Sequence, residues 1–335
     1  MCSRRSDARV SATRPGAGLL PALFFAALLA GCAAQPDLAG VRPAPELSAT
    51  PFHPQERYQC GPAALLTVLE HSGAEASLDA LVEQVYLPGA RGSLQVELLA
   101  ATRRAGRVPY VLPGTLAALA AEVAAGRPVL VMQNLGVRLI PRWHYAVVIA
   151  VDPAGGRVVL RSGTERRRVT PLGLFARTWA RSGNWAFVAL GPGELPATLE
   201  RERYYDALAG VEESGRPALA LPGWQAALTQ WPGDAVAQFG LGNARLALGD
   251  WRAAEHAYRE LLAARPALAP ARNNLALALL EQGRLAVAEA EAQQALADAD
   301  PGSALAAEIS DTLARIRAAR EAQSSRSGSP SSTSR

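Results

Sequence analysis

Nucleophilic chemistry in this sequence can start at Cys60, in the stretch 54–73, PQERYQCGPAALLTVLEHSG. Gly-Pro follows the cysteine, and then an apolar helical pattern. Pro62 suits a first helical turn, where its missing N–H is no loss. Cys60 is therefore expected at a helix N-terminus, where unpaired N–H groups and the macrodipole favour a thiolate. Such settings bring a cysteine pKa from about 8.5 to roughly 3.5–7.5. A thiol nucleophile also needs a base and a donor for the oxyanion. The chain offers four histidines. His71 ends the helix that Cys60 begins, about 16 Å along its axis at 1.5 Å per residue, and cannot reach back. His53 lies just before the cysteine segment, and His256 reads as a helix-surface residue. His144 opens HYAVVIAV, a strand pattern, and is the candidate base. Three Cys and four His lie scattered without ligand spacing, so no metal is expected, and no other cofactor.

The elements that must hold these groups follow from periodicity. Four helices are expected before residue 127: PAALLTVLEHSG closed by Gly73, SLDALVEQVY capped by Ser77, SLQVELLAATRRAG closed by Gly106, and LAALAAEVAAG closed by Gly126. The period then changes. RPVLVMQNL, HYAVVIAV, GRVVLRS and NWAFVAL are short β-branched runs, and DPAGG at 152–156 is a hairpin turn. Helices first and an antiparallel sheet afterwards make an α+β domain over 51–192. Trp143 and Tyr145, on either side of the histidine, are expected to pack. ERRRV at 165–169 reads as a solvated strand edge.

Residues 1–31 carry an export-signal pattern: Arg4, Arg5, Arg9 and Arg14, then GLLPALFFAALLAGC. Leu29-Ala30-Gly31-Cys32 resembles a bacterial lipobox. That resemblance implies cleavage before Cys32 and its acylation, with the chain lipid-anchored at the periplasmic face of the outer membrane. Residues 32–50, rich in Pro and Ala, are expected to be a tether. With Cys2 removed and Cys32 acylated, Cys60 has no disulfide partner in an oxidising compartment, which points to a buried or a reactive thiol. Apolar content of 49% is ample for packed cores, and the net charge of +4 is mild. All 34 basic residues are Arg, with no basic stripe among aromatics, so nucleic acid is excluded as a partner.

Beyond residue 200 the chain repeats at a step of 34. Gly215, Gly249 and Gly283 fall in register, as do Ala220, Ala254 and Ala288, and Trp224, Tyr258 and Ala292. Pro232 matches Pro266. The pattern resembles the tetratricopeptide repeat, whose small residues let paired helices approach while an aromatic fills the gap. It implies an all-α repeat domain over 201–322, with units at 201–234, 235–268 and 269–302, a capping helix, and a protein partner held by the array. Residues 323–335 are low-complexity and expected to be disordered.

PQERYQCGPAAL, LAALAAEVAAGRPVLVMQ and WHYAVVIAVDPAGGRVVLRSG together resemble the papain-like cysteine peptidases that process bacteriocin leaders at a double glycine, in an exported form joined to tetratricopeptide repeats. The resemblance covers about 50–190. It implies a papain-like fold for the α+β domain and a peptide or protein substrate. Cys60 matches the nucleophile, His144 the general base, and Gln55 the glutamine that holds the oxyanion, with Gln59 in reserve. Gln55 stands five residues before the cysteine, where many relatives use six. The family places Asp or Asn on the strand returning past the histidine. Asp152 is eight residues along the strand, about 26 Å at ~3.3 Å each, and belongs to the far turn. Folding the hairpin brings 160–164 opposite His144 and puts Ser162 at the acid's position, while Asn184 could instead fold over the histidine. A hydroxyl stabilises imidazolium less than a carboxylate does. The alternative reading is a peptide-binding domain that does not cut.

Overall fold

A computed structural model of the chain describes residues 36–55, 59–90, 92–137 and 139–327. Contacts divide the chain into Met1–Asp37 and Leu38–Arg335, and all elements named below belong to the second. The export segment and Cys32 lie outside the described residues.

Six strands form one antiparallel sheet in the order β1-β6-β2-β3-β4-β5. They are β1 (Val108–Val111), β2 (Val129–Asn134), β3 (Trp143–Asp152), β4 (Arg157–Ser162), β5 (Glu165–Pro171) and β6 (Ala186–Leu190). Alternation along β3 divides its side chains between two cores. Tyr145, Val147 and Ile149 meet α1 (Cys60–His71), α2 (Leu78–Val85) and α3 (Gln95–Arg104). Ala146 and Val148 meet α4 (Leu116–Ala124), α5 (Leu172–Ala180) and α6 (Arg201–Glu213). β5 is the polar edge, with Arg166, Arg167 and Arg168 exposed.

α1 is apolar on all sides because it is covered on all sides: every residue from Gly61 to Leu69 is buried. Leu65, Leu66, Val68 and Leu69 each contribute about 1.5–3 kcal/mol through burial. Ser72 and Gly73 end the helix, with Gly73 at φ 77°, where a side chain would be strained. Ser77 caps α2 by accepting from the Ala80 N–H.

Four segments differ from the sequence expectation. β1 and α5 are additional elements, so helices and strands alternate where helices were expected to come first. Residues 44–50 are not a loose tether. β2 pairs β3 only as far as Val148, which leaves the rest of that edge open, and the chain covers it. Ala44 and Val151 exchange backbone hydrogen bonds at 2.8 and 3.2 Å, and the Leu47 N–H reaches the Ile149 carbonyl at 2.9 Å. Thr50 is fully buried. At the other end, the final helix runs Ala304–Ser327, so residues 323–327 are helical where disorder was expected.

Past residue 200 the helices come in antiparallel pairs: α6 with α7 (Pro217–Gln230), α8 (Ala235–Ala247) with α9 (Trp251–Ala264), and α10 (Ala269–Glu281) with α11 (Leu285–Asp298), followed by α12 (Ala304–Ser327). Gly215, Gly249 and Gly283 make the intra-pair turns at φ 74°, 77° and 70°. A Cβ at Gly240 would lie 2.4 Å from the Trp224 ring, and one at Gly242 2.5 Å from the Tyr258 ring. The repeat aromatics fill the space those two glycines leave.

The first pair is welded to the sheet. Tyr204, Leu208 and Val211 share a core with Tyr110 and Leu112. Glu122, fully buried, accepts from Arg127 Nε at 2.7 Å and from the Thr198 N–H and hydroxyl at 3.0 Å. Arg127 also reaches Glu194 at 2.9 Å. The Tyr110 hydroxyl donates to the Thr198 carbonyl at 2.6 Å and accepts from the Glu200 N–H at 3.1 Å.

Candidate functional site

Cys60 is the first residue of α1, as the Gly-Pro signal predicts. Gln59 precedes it as N-cap and makes no side-chain cap, and the first turn holds no acid, so no carboxylate competes for the N–H groups there. Gly61 is required by packing. A Cβ there would fall 2.4 Å from Ser93 Oγ and 2.6 Å from Ser93 Cβ. Ser93 is itself fixed, since its carbonyl accepts from the Tyr145 hydroxyl at 3.0 Å. Its Oγ is buried and makes no hydrogen bond among the described residues.

β4 joins β3 only from Val147 onward, opposite Arg161, which leaves the 143–146 end of β3 open on that side. Cys60 comes to this opening. The backbone N–H of Tyr145, the peptide group that follows His144, donates to its sulfur. Burial nevertheless pushes the thiol above its ordinary pKa, against the N–H groups of Tyr145, Gly61 and Cys60 itself. The expectation of a thiol depressed by the helix terminus is thus corrected. The donors are in place, but desolvation of the charged form outweighs them.

His144 lies opposite Gln133 of β2, and the two side chains share a sheet face. Gln133 is buried there and donates to Thr178 Oγ1 of α5 at 2.6 Å. The His144 Nε2 contacts Ser162 Oγ at 2.8 Å. Ser162 is buried, at 3% exposure. Burial, with Arg168 and Arg142 adding repulsion, pushes the His144 imidazolium down to about 4. Near neutral pH the ring is uncharged.

Gln55 is held beside this pair by its backbone, whose N–H reaches the Gly163 carbonyl at 3.1 Å, one residue past Ser162. Asp152 takes the turn expected of it, bonding the Gly155 N–H at 2.8 Å and Arg157 at 3.0 Å. Asn184, the other candidate to orient His144, occupies a left-handed turn at φ 54° with its Cβ beside Gly114. The remaining histidines have structural contacts: His53 with Glu70 at 2.7 Å, His71 with the Gly126 carbonyl at 2.8 Å, and His256 with Glu260 at 3.3 Å. Tyr145 packs at 3% exposure, but Trp143 stands 54% exposed, against the expectation that both pack.

Two positioning residues escaped the sequence reading. Arg161, 4% exposed, donates to the carbonyls of Ser48 at 2.9 Å, Thr50 at 2.9 Å and Arg166 at 2.5 Å, clamping the segment that leads into the cysteine loop. An arginine inside the β-branched run RVVLRS was its signal. Ser93 had none, because only the fold brings it to Gly61.

Residues 239–304 match the family profile of the tetratricopeptide repeat. The helical part of the chain is therefore a tetratricopeptide-type array, appended to an α+β unit with an antiparallel sheet. No curated protein matches the chain. Among solved structures, the type III secretion translocator chaperone SycD of Yersinia enterocolitica is 26% identical, over 36% of this chain and 85% of that one, with a TM-score of 0.34. The same chaperone in complex with a peptide of the translocator YopD is 24% identical, over 36% and 93%, at 0.33. A double glycine motif protease from an AMS/PCAT transporter, in complex with the leader peptide, is 17% identical, over 47% and 98%, at 0.32.

Proposed function

We propose that the chain is a papain-like cysteine peptidase, exported and lipid-anchored through Cys32 at the periplasmic face of the outer membrane. Its repeats recruit a protein partner or substrate. The observation that supports the reading lies at the open end of β3. A helix-initiating thiol receives the N–H next to His144, and Ser162 holds one ring nitrogen of that histidine. With Nε2 so engaged, the reading assigns Nδ1 to the Cys60 proton.

In this reading His144 takes the Cys60 proton as the sulfur attacks a peptide or isopeptide carbonyl. The carbonyl oxygen becomes an oxyanion, which the Cys60 N–H and the Gln55 amide receive. His144 then protonates the departing amine, leaving an acyl-enzyme thioester. Water, deprotonated by the same imidazole, hydrolyses it and restores the thiol. A raised thiol and a lowered imidazole mean that the resting pair is neutral, so the proton moves during attack.

The same neutrality supports the second reading, a domain that captures a peptide without cutting it. Ser162, in place of a carboxylate, adds no charge to hold imidazolium. One experiment separates the two: incubation with a pooled peptide library, read by mass spectrometry, with Cys60→Ala as control. Cleavage lost in Cys60→Ala supports the peptidase. Peptide retention without turnover, equal in both proteins, replaces it with the binding domain.

A further inference from the structure

Between β2 and β3 the chain projects a hairpin, residues 135–142, with the sequence LGVRLIPR. Arg138 lies outside the described residues. The apolar side chains of this hairpin face solvent: Leu139 is 92% exposed, Ile140 72% and Val137 58%, with Leu135 and Trp143 at the base also exposed. Isolated exposed apolar residues are ordinary, but five within nine positions of one hairpin form a patch.

The hairpin is firmly built. Val137 and Ile140 form a β-bridge, and the Leu135 N–H reaches the Arg142 carbonyl at 2.8 Å. Asn134 Oδ1 accepts from the N–H groups of both Gly136 and Arg142 at 2.9 Å. Arg181, which follows α5, donates to the Gly136 carbonyl at 2.6 Å. These backbone groups keep their partners wherever the tip is placed, which an apolar medium demands.

Charge defines the surroundings. Residues 128–151 contain Arg138 and Arg142 and not one Asp or Glu. Residues 166–193, which supply α5, also contain no Asp or Glu. Leu174, Arg177 and Arg181 lie along one exposed stripe at helical spacing, and Arg181 joins it to the hairpin. The patch therefore combines a protruding Leu-Ile tip, a Trp at its base and guanidinium groups without neighbouring carboxylates in sequence.

We infer that this hairpin is a membrane-surface insertion device: Leu139 and Ile140 enter an anionic phospholipid interface, Trp143 sits at headgroup level, and Arg142, Arg177 and Arg181 meet the phosphates. Leu, Ile and Trp on one side with Arg on the other is the composition that such an interface selects. Anionic lipid complements an excess of arginine that no Asp or Glu of residues 128–151 or 166–193 offsets. Trp143 precedes His144, so the docked hairpin sets the opening of the Cys60 site at the lipid surface. The inference stands whether or not that site cuts peptides.

The test is vesicle flotation of the chain Leu38–Arg335, a compact unit that lacks the lipidation segment. Binding is expected to vesicles of phosphatidylethanolamine with phosphatidylglycerol and to weaken with salt. Leu139→Glu/Ile140→Glu is expected to lower the partition coefficient at least about tenfold, with an unchanged thermal melt, since both residues are exposed. Leu139→Ser/Ile140→Ser, a milder pair, should give the same direction. Arg142→Gln/Arg177→Gln should remove the preference over phosphatidylcholine. Failure of the unsubstituted chain to float, or equal flotation of the Leu139/Ile140 variants, overturns the inference. So does a concentration-dependent dimer that those variants abolish without any lipid binding, which would assign the patch to a second copy.

Discussion

Substitution of Gly61 by Ala tests how tightly the cysteine loop is fixed. The added Cβ would stand 2.4 Å from Ser93 Oγ and 2.6 Å from Ser93 Cβ, well inside contact distance. The hydroxyl can rotate away, but the Cβ belongs to a backbone that Tyr145 holds through the Ser93 carbonyl. Either Ser93 or the first turn of α1 must move by several tenths of an ångström. Overpacking of this kind costs about 1–3 kcal/mol, even though Ala is otherwise the better helix former. Urea unfolding of Gly61→Ala should therefore show that loss, together with a changed rate of Cys60 alkylation by iodoacetamide. Ser93→Gly removes both clashing atoms, so the double variant should recover most of the loss, with a coupling of about 1 kcal/mol or more in the cycle. A Gly61→Ala protein as stable as the parent, with unchanged thiol reactivity, would refute the close packing of Ser93 on the helix start.

Four further outcomes are expected. Ser162→Asp places a carboxylate on His144 Nε2; Cys60 alkylation at neutral pH should accelerate, as should any turnover, and an unchanged rate would show that this contact does not govern the imidazole. His144, pushed down to about 4, has a folded pKa below its unfolded one. Stability should therefore fall as pH drops from about 6.5 towards 4, and His144→Gln should flatten that limb of a Tm profile. Burial pushes the Glu212 carboxyl up to about 7, with the Trp224 indole opposing, so the folded state retains a proton that the unfolded chain has released. Stability should accordingly decline as pH rises from about 4.5 to 7, and Glu212→Gln should remove this slope. Arg161→Leu strands the carbonyls of Ser48, Thr50 and Arg166, which should cost about 2–4 kcal/mol in urea unfolding and speed proteolysis near residue 50.

Much of this architecture is written locally. Glycines at 73, 106 and 126 end their helices at φ 77°, 72° and 87°, as their positions predict. The 34-residue step locates three helix pairs because each unit repeats the same small-residue and aromatic contacts. Folding about DPAGG made the window 160–164 legible as the stretch opposite His144, and the family resemblance singled out Ser162 within it. β1 was not legible: VPYV is four residues long with a Pro. α5 follows Pro171 with no side-chain cap to announce it. The packing of residues 44–50 depends on where β2 stops, which no local pattern encodes. The state of the Cys60 thiol depends on how much of the surrounding chain removes water from it, a sum over three helices and a strand.

Glu122, Tyr110, Thr198 and Arg127 make the joint between sheet and helical array a solid corner. In the proposed reading, no swivel separates the surface where a client would be gripped from the mouth at Cys60. Reach between the two is then set by geometry, not by diffusion of a loose linker. A polypeptide engaged at both places must have a minimum number of residues between its grip and its reactive segment. Under that proposal shorter clients would be refused however well either end fits, and the corner would act as a ruler.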